Sequence, residues 1–133
     1  TDLLQSAAIA LSQSIDAVVN GSAPDNHPDF FPVLMMRAYM LLKSHLPEHA
    51  QIWAEALKTI SPEQDYVFTM SKMNNPNRMI NWNAIMISGE YLRWHEQLAN
   101  EGTAWMDRYL EAYHVPRFTA LGLYQDGPLD RPN

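Results

Sequence analysis

There is no cysteine in this chain. Its absence excludes a disulfide framework, a thiolate metal site and a cysteine nucleophile together. Glycine is scarce, five residues in 133, so no glycine-rich loop is available to cradle a phosphate. No Gly-x-Ser-x-Gly elbow is present either, and Ser88-Gly89 falls inside a helical pattern. Positive charge is thin: nine Lys and Arg face fifteen Asp and Glu, a net charge of −6, and the basic residues are scattered. No nucleic-acid partner is expected, because phosphate binding draws on clustered Lys and Arg. Long apolar runs are missing too. Nothing approaches the run of about 18 residues that spans a bilayer, and the first residues carry no secretory-signal pattern. The expectation is a soluble, cytoplasmic protein with no membrane partner, although an exported and processed one would read the same way. The start at Thr1 rather than Met suggests that a tag, a leader or an upstream domain was removed.

What the chain has in quantity is apolar side chains at helical spacing. Leu4, Ala8, Leu11, Ile15 and Val18 alternate steps of four and three and predict a helix from Asp2, its cap, to about Asn20. Asn20-Gly21 ends it, and a polar loop with Pro24 and Pro28 follows. Phe30–Leu46 is the most apolar stretch. It predicts a second, central helix capped by Asp29, with Pro32 in its first turn and Pro47 beyond its end. Arg37 interrupts that apolar surface, so its guanidinium must snorkel to water or find an acid. A third helix is expected over about 48–59, with Ile52, Trp53, Ala56 and Leu57 inward. Ser61-Pro62-Glu63-Gln64 reads as a capping box that opens a fourth helix ending near Met73.

Asn74-Asn75-Pro76-Asn77 breaks the chain with turn-forming residues. The fifth helix, about 78–100, carries the cleanest stripe: Ile80, Ala84, Ile87, Tyr91, Trp94 and Leu98, which is expected to face a partner helix. Gly89 lies on another face with Trp82, Met86 and Arg93. A glycine inside a helix costs about 1 kcal/mol relative to alanine, so close approach by a second backbone would explain it. Gly102 and Thr103 separate a sixth helix over about 104–113. Strand and hairpin signals are absent. The sequence therefore predicts an all-α fold: one helical domain, residues 1–125, with five to six helices around a buried central helix at about 30–46. An irregular C-terminal segment ends in a loose tail at 126–133.

Chemistry-bearing residues are present in patterns that stop short of a site. Asp107, Glu111 and His114 stand at i, i+4 and i+7, and Glu111–His114 spells the Glu-x-x-His that two-metal carboxylate bundles use twice. It occurs once here, without further inward carboxylates, so neither a metal nor another cofactor is expected. His45 and His49 are divided by Pro47 and read as a helix corner. His95 reads as a histidine hydrogen-bonded within the bundle. Arg108 and His114 have the Arg-x5-His spacing that resembles the signature of HEPN-type ribonucleases. The resemblance covers seven residues and implies an Arg and a His acting on a phosphodiester across a dimer. HEPN enzymes usually carry a polar residue just after the Arg, where this chain has Tyr109, and its acidity suits an RNA substrate poorly.

Met73–Trp82 gathers Asn, Arg, Met and Trp around a proline turn, residue types that suit a binding surface. Asn75, Arg78, Met79 and Trp82 are accordingly the candidate partner-binding residues. The functional expectation is a protein-binding module without catalytic activity: a regulator, an inhibitor or immunity factor, or an adaptor. Its partner would be another protein, with a homodimer through the 80–98 helix as a further expectation. One alternative is a small-molecule sensor or carrier whose bundle cavity reaches Arg37. A second is the HEPN-like ribonuclease using Arg108 and His114.

Overall fold

A computed structural model describes residues 2–24, 27–73, 83–118 and 120–123. Helix α1 (Asp2–Val19) forms as its periodicity predicts and buries Ala8, Leu11, Ile15 and Val18. It ends where Ser22 N–H donates to the Ala17 carbonyl at 2.8 Å and Gly21 N–H to that of Val18 at 3.2 Å. Gly21 stands at φ +69°, the left-handed conformation that lets the last carbonyls of a helix find donors.

Helix α2 (Phe31–Leu42) packs against α1, against α3 (Pro47–Lys58) and, most extensively, against α6 (Asn83–His95). It buries Pro32, Met35, Met36, Tyr39 and Leu42. Its composition thus makes it the helix the others meet, but it is covered on one side rather than all round. Leu34 and Leu41 are 64% and 73% exposed.

Asp29 does not cap α2. Phe30 stands at that position with no side-chain hydrogen bond. Pro28–Phe30 winds as a 3-10 turn, and the fully buried Asp29 carboxylate reaches the start of α5 (Val67–Met73). It accepts from Thr69 N–H at 2.6 Å and Phe68 N–H at 3.3 Å. Those are the second and third amides of α5, which an N-cap side chain normally satisfies. The cap is supplied by a residue about forty positions away rather than by the neighbouring chain.

On α3, Trp53 and Leu57 are buried, while Ile52 points outward. Trp53 Nε1–H donates to Ser12 Oγ at 2.8 Å and ties α3 to α1. The single helix expected over 62–73 is two, α4 (Pro62–Asp65) and α5, because Tyr66 leaves helical geometry at ψ 61°. Ser61 and Gln64 do not form the expected capping box. Ser61 N–H instead donates to Asp65 Oδ2 at 2.6 Å, one residue further on.

Gly89 marks the crossing of α6 over α2. A Cβ there would stand 2.6 Å from Val33 N and 2.9 Å from Pro32 C, so only glycine admits this approach. The crossing also reverses the expected orientation of α6. Its inner face is Met86, Gly89, Glu90 and Arg93, all buried. Of the stripe expected to pack inward, Ala84, Tyr91 and Trp94 are exposed and Ile87 is half-buried; Leu98, beyond the helix end, is buried as expected, and Ile80 lies outside the described residues.

Gln97, at φ +62°, ends α6 in the same hydrogen-bond pattern that Gly21 uses for α1. Helix α7 (Ala104–Tyr109) buries Trp105, Met106 and Tyr109. Leu110–His114 then widens into a π turn and Val115–Arg117 tightens into a 3-10 turn, so the expected α-helix stops short of Tyr113. Among the described residues there is no strand, and no helix is long and apolar enough to cross a membrane. The break at 74–77 and the tail at 126–133 lie outside the described residues.

Candidate functional site

The two faces of α6 present different chemistry. On the inner face, the guanidinium of Arg93 is wholly buried and every side of it is used. Its Nε–H donates to the Leu57 carbonyl at 3.2 Å, and Nη2 to those of Ile60 at 2.9 Å and Leu98 at 3.1 Å. Nη1 reaches both Glu90 oxygens, at 2.6 and 2.7 Å, and Glu101 Oε1 at 3.0 Å. Tyr66 O–H donates to Glu90 Oε2 at 2.7 Å. The Leu57 carbonyl also accepts from Ile60 N–H at 3.4 Å, so the arginine adds a second donor there and supplies donors to the carbonyls of Ile60, past the end of α3, and Leu98, beyond α6, as a planar fork of five donors can.

Two carboxylates converge on one cation here, so the cluster holds one negative charge too many for a dry site. Burial, and then the neighbouring Glu101 carboxylate, raise the Glu90 pKa to about 7. Burial opposes the Glu101 charge as well, but its hydrogen bonds with Glu90 and the backbone and the nearby Arg93 charge hold its pKa below the usual value. Burial and the Glu90 charge push the Tyr66 phenol well up. Near neutral pH, Glu101 is ionised and Glu90 is divided between its two forms. The Tyr66 ring meets Trp105 edge-on at 5.9 Å, and Trp105 stacks on Tyr109 at 5.2 Å, which carries the packing from this cluster into α7.

On the outer face, an apolar groove of about 510 Å³ opens between α6 and α7. Ile87, Tyr91 and Trp94 form one wall, Met106 and Leu110 the other, and Asp107 is its charged residue. Tyr91 and Trp94 lie 5.5 Å apart, centroid to centroid, and remain 49% and 41% exposed. Asp107, on α7, and Glu111, in the π turn after it, are exposed and have no basic partner among the described residues.

The residues singled out from the sequence are dispersed. Arg37 is on the exposed face of α2, its charge snorkelled to water, and it lines none of the grooves described here. Arg108 is exposed and pairs with Glu63 at 3.0 Å, beside a groove that Glu101 and Lys58 also line. His114 lies half-buried against the Tyr109 ring at 5.1 Å. Burial, and then the Arg117 charge, lower its pKa. Arg108 and His114 thus have separate surroundings.

Among the described residues, no three His, Asp or Glu side chains converge as metal ligands would. His49 packs against Trp53 at 5.5 Å, while His45 and His95 are exposed. Asn75, Arg78, Met79 and Trp82 lie outside the described residues. The groove was missed because its aromatic wall is the stripe that apolar periodicity assigns to the core. The signal that could have found it is a helix-interior glycine beside a Glu-x-x-Arg pair on the opposite face. No protein-family model, no curated protein and no solved structure matches this chain.

Proposed function

We propose that this chain is a protein-binding module of regulatory or adaptor type, and that it docks its partner in the α6–α7 groove. The observation that carries this reading is the Tyr91–Trp94 pair, half-exposed on the outer face of α6 above an apolar groove. Tyr and Trp dominate binding hot spots because they bring large contact area with few rotors to freeze. The groove is open and bounded by two helices, a shape that accepts the apolar face of a third helix. Its one charged residue, Asp107, favours an occupant with Lys or Arg beside its apolar anchors.

The test is selection from a displayed library of amphipathic helical peptides, half with basic and half with acidic flanks. Basic-flanked peptides are expected to bind with a dissociation constant of about 100 μM or tighter. Trp94→Ala or Leu110→Arg should then weaken binding at least about tenfold. Both positions are exposed, so the fold is retained and binding alone is read. Recovery of no peptide, or of peptides indifferent to both substitutions, would refute the reading.

A further inference from the structure

We infer that the occupant of the α6–α7 groove is a second copy of this chain, entering by the outer edge of α2. This rests on reading that groove as a docking surface. The edge is Leu34, Arg37 and Leu41, at i, i+3 and i+7, one line along the helix about 10 Å long. Both leucines are largely exposed, and Arg37 stands between them in water. The wall it would meet has the same length, Ile87, Tyr91 and Trp94 at i, i+4 and i+7.

Charge selects this pairing among the available surfaces. Of the cations whose side chains are described, Lys43 pairs with Glu96, Lys58 with Glu55, Arg108 with Glu63 and Arg93 with Glu90. Arg117 is buried. Among them, Arg37 is the one exposed cation without an acid partner, and it lies inside an apolar edge. The groove has the opposite character, apolar with one acid, Asp107, and no base in its lining. A chain of net charge −6 opposes its own association unless the contact is charge-matched, and this one is.

The alternative homodimer, α6 against α6 about a two-fold axis, would leave Arg37 unused. Within one molecule none of Leu34, Arg37 and Leu41 lines the groove, so the contact proposed here is one between copies. The contact joins unlike surfaces and is therefore head-to-tail, which adds copies in a line or closes a ring.

Sedimentation of the full chain from about 1 μM to about 1 mM tests this. The expected result is growth past the dimer with concentration. Arg37→Glu or Asp107→Arg alone should weaken association at least about tenfold, and the two together in one chain should restore it. A chain with a blocked edge (Leu34→Glu with Leu41→Glu) and a chain with a blocked groove (Trp94→Ala with Leu110→Arg) should each be monomeric. Mixed, they should form a 1:1 complex that grows no further. A wild-type chain that stays monomeric to about 1 mM overturns the inference and, where the peptide selection succeeds, leaves a different protein as the occupant. A blocked-edge chain that still dimerises overturns it in favour of the α6–α6 pairing.

Discussion

Replacing Glu90 by Gln should make the protein more stable at pH 8 and should change little at pH 4. Glutamine has the shape of a protonated glutamate, so the variant keeps at every pH the form that the buried site prefers. Its carbonyl oxygen can still accept from Arg93 and from Tyr66, the donors that hold Glu90 at 2.6 to 2.7 Å. The Glu90 pKa is about 7 in the folded protein against an ordinary 4.5. Between those values the native state holds a proton that the unfolded chain has released, so each step up in pH favours unfolding. The stabilisation from this group is whole below about pH 4.5 and is lost as pH rises through about 7. A rise of this size corresponds to about 3 kcal/mol.

Urea unfolding of both proteins at pH 4, 5, 6, 7 and 8 reads the titration of Glu90 together with its coupling to Glu101, because titrating groups outside this cluster cancel in the difference. The difference should open by about 3 kcal/mol across the range, most steeply between pH 5 and 7. Glu101 is depressed rather than raised, so its contribution is present at neutral pH and is lost on acidification, the opposite direction. Glu101→Gln should therefore not reproduce the effect. Parallel stability curves for the wild type and Glu90→Gln would refute the reasoning, since they would mean that Glu90 is ionised throughout and fully balanced by Arg93.

Two further substitutions test the geometry of α6. Gly89→Ala should destabilise by about 2 to 3 kcal/mol in urea unfolding, although alanine is the better helix former by about 1 kcal/mol, because the new methyl meets the α2 backbone. Gln97→Gly should stabilise by about 0.5 to 1 kcal/mol and raise the melting temperature by a few degrees. The left-handed backbone costs a side chain more than the added freedom of glycine costs the unfolded state.

The legible parts of the fold are those where one local rule acted without a competitor. Helix α1 has an uninterrupted apolar stripe and a glycine stop, and both function as their positions suggest. Asp29 followed another course. Its short acidic side chain ahead of an apolar run is a capping signal, but the helix it caps is α5, and no local pattern encodes a contact across forty residues. Tyr66 similarly divides an otherwise continuous helix and donates its hydroxyl to a carboxylate on another element. Both errors have one cause: a buried polar group must be satisfied wherever a partner stands in space, and that partner is not written beside it.

The orientation of α6 shows how that requirement can overrule hydrophobicity itself. Tyr91 and Trp94 are already about half-covered, so rotating the helix to bury the rest of each ring would gain about 1 to 1.5 kcal/mol apiece. The same rotation would carry Arg93 away from the carbonyls of Leu57, Ile60 and Leu98. Leu57 would keep its backbone donor from Ile60, but the Ile60 and Leu98 carbonyls would need other donors, at about 1 to 3 kcal/mol for each one buried without them. The rotation would also take Gly89 out of the crossing and put a full side chain between α6 and the backbone of α2. Together these costs match or exceed the gain from the two rings, so the arginine face goes inward and the aromatic face is left outside. On this argument the exposed Tyr91–Trp94 pair follows from the buried Glu90–Arg93 pair, and the aromatic face of α6 stays open because its opposite face is committed to closing the bundle.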